Sequence, residues 1–299
     1  MSATLLLATV QTGTFVDSLS SLLKKYNLRP RKELGQNFLT DPIHLAKIID
    51  IAGLTPADTV LEIGPGPGVL TCLLAEAAGQ VIAVELDPQM VNLLKNEYGH
   101  LHNLTIVEAD ILQTNLNTLI SQQKNLTSHI PHPTSHISYK VVANLPYYIT
   151  SAVLRHLLEA TPQPERVVVT VQKEVAQRMV AKPGQMSLLA ISVQFYGQPT
   201  LAHHIPAGAF YPAPKVDSAV VRIDTFAQPP VAVTDVDHFF QVVRAGFGQK
   251  RKQLKNSLAA GLAKPMPEVM AALDQAKIDS TRRAETLSLE EWGWLAAAL

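Results

Sequence analysis

A single cysteine in 299 residues, Cys72, excludes an internal disulfide and points to a reducing compartment. Net charge is missing too. Twenty-five Lys and Arg cancel 25 Asp and Glu, so no global field announces a polyanionic partner, and any nucleic-acid footprint has to be local. No stretch approaches the roughly 20 uninterrupted apolar residues of a membrane span. The first ten residues are apolar but lack the cationic leader and the clear cleavage site of a signal peptide. There is no internal repeat and no low-complexity tract. A hydrophobic fraction of 47% and a mean hydropathy of +0.12 fit a globular chain, long enough for one large domain or a large and a small one. The expectation is a soluble cytoplasmic protein with no membrane partner.

The strongest local signal lies at residues 59–78. Thr59–Ile63 reads as a strand, Gly64-Pro65-Gly66-Pro67-Gly68 as a loop and Val69 onward as a helix. Glycines at alternate positions let the backbone approach a ligand and set the next helix N-terminus behind it. A dinucleotide fingerprint would need a third glycine at position 69, which is Val. The spacing is instead that of an S-adenosylmethionine-binding loop. Three further strands then end on polar groups. Residues 80–84 lead to Glu85, 104–107 to Asp110 and 141–143 to Asn144. Glu85 lies where a carboxylate can accept hydrogen bonds from both hydroxyls of a ribose. Each of the three alone is an ordinary cap or turn; in register behind a glycine-rich loop they read as one nucleoside site.

Asn144-Leu145-Pro146-Tyr147 places an amide, a proline-locked backbone carbonyl and an aromatic ring at a strand's carboxyl end, where ligands bind in open α/β sheets. An amide oxygen and a free carbonyl can accept both hydrogens of a planar amino group, while a ring stacks on the heterocycle carrying it. The proline is expected to leave that carbonyl unpaired and aimed at the substrate. In Phe210-Tyr211-Pro212-Ala213-Pro214 the prolines stiffen the loop and could hold Phe210 outward; a buried loop aromatic is the alternative.

The rest of the chain is read more coarsely. Residues 1–20 carry no motif and are expected to form a loose extension, and Asp41-Pro42 caps a helix to about residue 52. A helix is expected from 150 to 160, a strand over 166–171, then a helix to about 182. Two strands, 187–196 and 216–223, are expected to finish the sheet as an antiparallel hairpin. His129, His132 and His136 sit in a Ser/Thr/Pro-rich segment without cysteines, which reads as a solvated loop rather than a metal site. Beyond a Pro-rich linker near 227–230, helices are expected at about 235–246, 250–261, 266–276 and 288–298. Two basic clusters stand out, one at 24–32 with Arg31 and Lys32, the other Lys250-Arg251-Lys252 with Lys255. Each is either a solvated face or a contact for RNA phosphates.

Together, Gly35-Gln36-Asn37-Phe38-Leu39, the Gly64–Gly68 loop, Glu85, Asp110, Asn144–Tyr147 and Phe210–Ser218 resemble the ribosomal RNA adenine dimethyltransferases over roughly residues 29–298. Leu145, the basic 250–252 segment with Asn256-Ser257, and Arg283–Ser288 are similar to the branch acting on the small subunit. The resemblance implies a Rossmann-like S-adenosylmethionine-dependent methyltransferase domain over 21–227 and a small all-α RNA- or ribosome-binding domain over 228–299. It implies that Asn37, Leu39, Gly64, Glu85, Asp110 and Asn144 contact S-adenosylmethionine, with Tyr147 and Phe210 flanking the base. The implied reaction dimethylates N6 of two neighbouring adenosines in the 3′-terminal hairpin loop of 16S RNA, by a monomer serving small-subunit biogenesis. Direct transfer without a metal or covalent intermediate is expected. Three rival readings are a methyltransferase for DNA or large-subunit RNA, an assembly factor whose methylation is secondary, and, more distantly, an NAD-dependent dehydrogenase.

Overall fold

A computed structural model describes residues 15–127 and 138–299, with the side chains of 15–18, 32 and 123–127 left out of the description. His129, His132 and His136 lie outside the described residues. In chain order the elements begin with α1 (Phe15–Lys25), β1 (Phe38–Leu39), α2 (Pro42–Ala52), β2 (Thr59–Ile63), α3 (Val69–Ala77), β3 (Gln80–Glu85), α4 (Pro88–Tyr98) and β4 (Leu104–Glu108). They continue with α5 (Leu116–Thr127), β5 (Lys140–Asn144), α6 (Thr150–Leu158), β6 (Arg166–Gln172), α7 (Lys173–Met179), α8 (Leu188–Tyr196), β7 (Gly197–Ile205), β8 (Phe210–Tyr211) and β9 (Ser218–Thr225). Four helices follow: α9 (Val236–Phe247), α10 (Leu254–Leu262), α11 (Met266–Gln275) and α12 (Leu289–Ala298).

The chain divides into an α/β unit, which reaches Ala176 and adds Thr200–Thr225, and a helical unit of Gln177–Pro199 with Phe226–Leu299. The sheet of the first has the order β4-β3-β2-β5-β6-β9-β7. β2 through β6 run parallel, and β9 pairs antiparallel with β6. Because the chain winds from β2 outward to β4 and then returns to lay β5 on the other side of β2, the strand order reverses between β2 and β5. That reversal opens a crevice beyond the strands' carboxyl ends. β2 is buried along its whole length, as a parallel strand covered on both faces must be.

Three expectations about the fold need correction. Residues 15–20 belong to α1, whose Leu19 and Leu23 are buried with Phe38 and Met90, so this part of the expected loose extension is packed structure. The apolar run 188–196 is a helix, not a strand. Ser187 accepts the Ala190 N–H (3.2 Å), and the burial of Leu189, Ala190, Ile191, Val193 and Phe195 leaves no polar face to betray a helical period. The strand that joins the sheet is the segment after it, β7. Finally, Lys250-Arg251-Lys252 lie in the turn between α9 and α10 rather than on a helix.

The helical unit has its own core, in which Phe195, Phe239 and Phe240 pack ring to ring around Leu254, Leu273 and the fully buried Trp292. Ser288 and Glu291 form a capping box at the start of α12, and Arg282 pairs with the Glu291 carboxylate. Among the described residues no helix is long and apolar enough to cross a membrane.

Candidate active site

The crevice is a cleft with an empty volume of about 780 Å³, its mouth included. Its walls come from the 34–38 segment, from Gly64 and Gly66 after β2, Glu85 and Leu86 ending β3, Asp110 after β4, and Asn144–Ile149 after β5. Four strand ends thus converge as the alternation of apolar strands and polar breakers requires. Gly64 and Gly66 have φ of +67° and +57°, and a Cβ on Gly66 would stand 2.8 Å from the Phe38 ring. Only glycine lets the loop pass so close beneath that ring.

Glu85 is nearly buried and holds the loop. Its Oε2 accepts the Gly66 N–H (3.0 Å) and its Oε1 the Asp87 N–H (2.8 Å). Burial raises its carboxyl above the ordinary range, and the backbone donors from Asp87 and Gly66 offset part of that rise. Each oxygen keeps a lone pair for a ligand hydroxyl. Asp110 caps the 3₁₀ turn Ile111–Gln113 through Oδ1, which accepts the Leu112 N–H (2.9 Å).

Asn144 has one orientation open to it. Its Nδ2 donates to the Asn37 carbonyl (3.0 Å), a group that can only accept. The amide oxygen is therefore the free end. Leu145 donates its N–H to the Thr170 carbonyl, and the Pro146 carbonyl accepts from the Ile149 N–H and the Thr150 hydroxyl. The Leu145 carbonyl accepts no hydrogen bond among the described residues. Tyr147 is half-buried, its hydroxyl 2.7 Å from the buried Ser218 Oγ, and burial raises its phenol.

Two expected contributors stand elsewhere. Leu39 lines a smaller adjoining cavity of about 360 Å³ rather than the main cleft. Phe210 is 4% exposed and packs in the core with Leu39, Leu45 and Ile48, so the prolines do not hold it outward. The physical reason is the antiparallel pairing of β1 with β8, which sets Leu39 opposite Phe210. The exposed rings are instead Tyr148, which follows Tyr147 and lines the cleft, and Tyr211, which follows Phe210. Arg31 does not extend freely either: its guanidinium reaches Asp87 (3.3 Å) and Glu33 (3.8 Å). The Lys32 side chain lies outside the described residues. Lys250, Arg251 and Lys252 are exposed, and none has an acidic partner among the described residues; Lys255 stands half-buried on the first turn of α10.

Sequence reading passed over Glu62. It is 1% exposed, its Oε2 has no hydrogen-bond partner among the described residues, and it lines the smaller cavity with Gly64 and Asn144. Burial pushes its carboxyl up to about 8. A charged residue inside an otherwise apolar parallel strand was the available signal.

Strand order, glycine loop and acid-tipped strands define the class: a Rossmann-like S-adenosylmethionine-dependent methyltransferase with a helical C-terminal part. A profile of the ribosomal RNA adenine dimethylase family matches residues 27–295, and the chain belongs to that family. It is 48% identical over 293 residues (97% of this chain, 95% of the relative) to the ribosomal RNA small subunit methyltransferase A of Dehalococcoides mccartyi. To the protein of the same name from Latilactobacillus sakei it is 41% identical over 283 residues, 93% of this chain and 92% of the relative. Among solved structures, the 23S rRNA methyltransferase ErmE superposes with a TM-score of 0.66 at 30% identity, covering 88% of this chain and 99% of ErmE. A dimethyladenosine transferase from Plasmodium falciparum gives 0.69 at 26% identity over 86% and 95% of the two chains.

The cleft fits the cofactor of this class. It offers a nearly buried carboxylate with lone pairs to spare, a second carboxylate a strand away and a backbone loop stripped of Cβ atoms, acceptors for the ribose hydroxyls and the adenine amino group and room for the methionine tail.

Proposed function

We propose that the protein dimethylates N6 of two adjacent adenosines in the 3′-terminal hairpin loop of small-subunit ribosomal RNA. It acts as a cytoplasmic monomer on the small subunit or its precursor, in small-subunit biogenesis. The observation that carries this reading is the orientation of Asn144. With Nδ2 spent on the Asn37 carbonyl, Oδ1 and the Leu145 carbonyl are two acceptors in one turn. An exocyclic adenine nitrogen is a poor nucleophile because its lone pair is delocalised into the ring. Two acceptors binding its hydrogens localise that pair and fix its direction.

S-adenosylmethionine, when bound, supplies an electrophilic methyl on a sulfonium. Glu85 takes the ribose hydroxyls; Asn37, Gly64, Asp110 and Asn144 complete the cofactor contacts, and Leu39 backs them from the adjoining cavity that Gly64 and Asn144 also line. Tyr147, steadied by Ser218, offers its face to the base. Stacking worth about 1–3 kcal/mol offsets much of the few kcal/mol that extrusion of the base costs. Phe210 serves from beneath, holding β1 and with it Leu39. Positioning and electrostatics supply the acceleration. Residues 228–299 serve as the RNA- or ribosome-binding part. Lys250, Arg251, Lys252 and Lys255 contact phosphates there, next to the exposed Arg244 on the last turn of α9.

Mass spectrometry of small ribosomal subunits treated with the protein and methyl-labelled cofactor tests the proposal. Two neighbouring N6,N6-dimethyladenosines in the terminal hairpin are expected. Label in large-subunit RNA or DNA instead, with none in the hairpin, would overturn it.

A further inference from the structure

The segment 31–38 crosses the cleft as a strap tied at both ends. At one end the Arg31 guanidinium (3.3 Å) and Gln36 Nε2 (3.2 Å) grip the two oxygens of Asp87. Arg31 and Gln36 also hold each other: the Arg31 N–H donates to Gln36 Oε1 (2.8 Å), and the Gln36 N–H to the Arg31 carbonyl (3.2 Å). At the other end the Asn37 carbonyl receives Asn144, and Asn37 Nδ2 turns back to the Gly35 carbonyl (3.1 Å). Gly35 lies so close to the Tyr148 ring that a Cβ there would be 3.2 Å from it.

Asp87 is only 1% exposed. Capping α4 occupies Oδ1, which accepts the Gln89 N–H (3.1 Å). The charge and Oδ2 need other partners, because a buried carboxylate left half-paired is costly. The strap supplies them. The Asp87 N–H in turn is donated to Glu85 Oε1, so the strap's anchor and the acid facing the cleft are neighbours on one turn.

We propose that Arg31 and Gln36, gripping Asp87, latch the strap across the cleft, which makes Arg31 and Asp87 positioning residues that retain S-adenosylmethionine and, through Asn37, aim Asn144. The latch assigns Arg31 to the cofactor side of the reaction and takes it from the RNA-phosphate contacts that its place in a basic cluster suggests. It rests on the reading that this cleft holds the cofactor.

Arg31→Met tests it in the full-length protein, with a thermal melt run beside it because the loss leaves the buried Asp87 carboxylate half-paired; Asp87→Asn is secondary because Asp87 also caps a helix. Calorimetry with S-adenosylmethionine is expected to show a roughly three- to tenfold weaker Kd for Arg31→Met, part of it recovered in Arg31→Lys. Affinity for small-subunit RNA and its salt slope stay unchanged. Combined with Asp87→Asn, Arg31→Met adds little, because both remove one interaction. Wild-type cofactor affinity in Arg31→Met overturns the latch. So does a loss of RNA affinity with the salt slope lowered by about one, the mark of a phosphate contact. Glu85→Gln separates the two levels. If it too binds cofactor normally, the cleft assignment fails; if it loses binding while Arg31→Met does not, only the latch fails.

Discussion

The strand-end cleft and the turn at Lys250–Lys252 handle charge in opposite ways. In the cleft Glu85 and Asp87 are buried and every grip on them is fixed: backbone N–H groups from Gly66, Asp87 and Gln89, side chains from Arg31 and Gln36. In the turn three cations stand in solvent with no acidic partner among the described residues, and Lys252 is held only through its backbone N–H to the Gln249 carbonyl (2.9 Å). A small ligand with a dozen polar atoms is recognised by donors and acceptors that do not move, because reorganisation would cost what binding gains. A long polyanion is recognised by released counterions, which asks for unpaired cations and little geometry.

The largest effect that comparison forecasts is at Asn144. Asn144→Ala removes one acceptor for the amino group and leaves the Asn37 carbonyl without its donor. By analogy with losing one preorganised group at a developing charge, kcat should fall about 10²–10³-fold. Single-turnover methylation at saturating RNA measures it. A rate within twofold of wild type, with cofactor and RNA bound normally, would deny the amide any role in aiming the nucleophile.

How far the sequence disclosed these two regions follows from the range of the interactions that build them. Glu85, Asp110 and Asn144 were legible because a parallel strand announces itself locally, as an apolar run closed by a breaker, and three such endings in a row converge in any open α/β sheet. Phe210 was misplaced because its burial depends on β1 pairing with β8, a contact across 171 positions (210 − 39) that no local pattern carries. The helix at 188–196 was misread because a segment buried nearly all round has neither period, although Ser187 stood at its start as a cap. Arg31 looked like its neighbours in a basic cluster; only the fold brings Asp87 to it. Lys250–Lys252 were found as a patch, and Gly248 with Gln249 just before them already marked the end of α9.

Glu62 is the second place to press. Among the described residues it is the one fully buried cleft-side acid with an oxygen left unpaired, and its carboxyl lies at about 8 against an ordinary 4.5. The folded protein thus holds a proton that the unfolded chain releases above pH 4.5 or so. Stability on this account is fully present below that value and drains away as pH rises to about 8. Three pH units of linkage at 1.36 kcal/mol each, reduced by local relaxation, leaves roughly 2–3 kcal/mol between pH 5 and 8. Glu62→Gln carries no such proton, so its denaturant midpoint should hold steady over that interval while that of the wild type declines. Parallel profiles would mean that the acid is solvated or paired in solution, and the cleft would lose its contrast with the turn as the buried, proton-holding region.

The smallest effect belongs to the turn itself, and it is the most discriminating. If Lys250, Arg251 and Lys252 meet phosphates, replacing all three by Gln releases fewer counterions, and the slope of log affinity against log salt should flatten by roughly two to three. Affinity for small-subunit RNA should drop roughly ten- to thirtyfold near physiological salt. Cofactor affinity and thermal stability should stay where they were, because these side chains are exposed and no described residue depends on them for an ion pair. The pattern separates the regions cleanly. Arg31→Met moves cofactor binding and spares the salt slope, whereas the triple variant moves the slope and spares the cofactor. A triple variant with an unaltered slope would reduce Lys250–Lys252 to a solvated turn and shift the search for the phosphate contacts to Arg244 and Lys255.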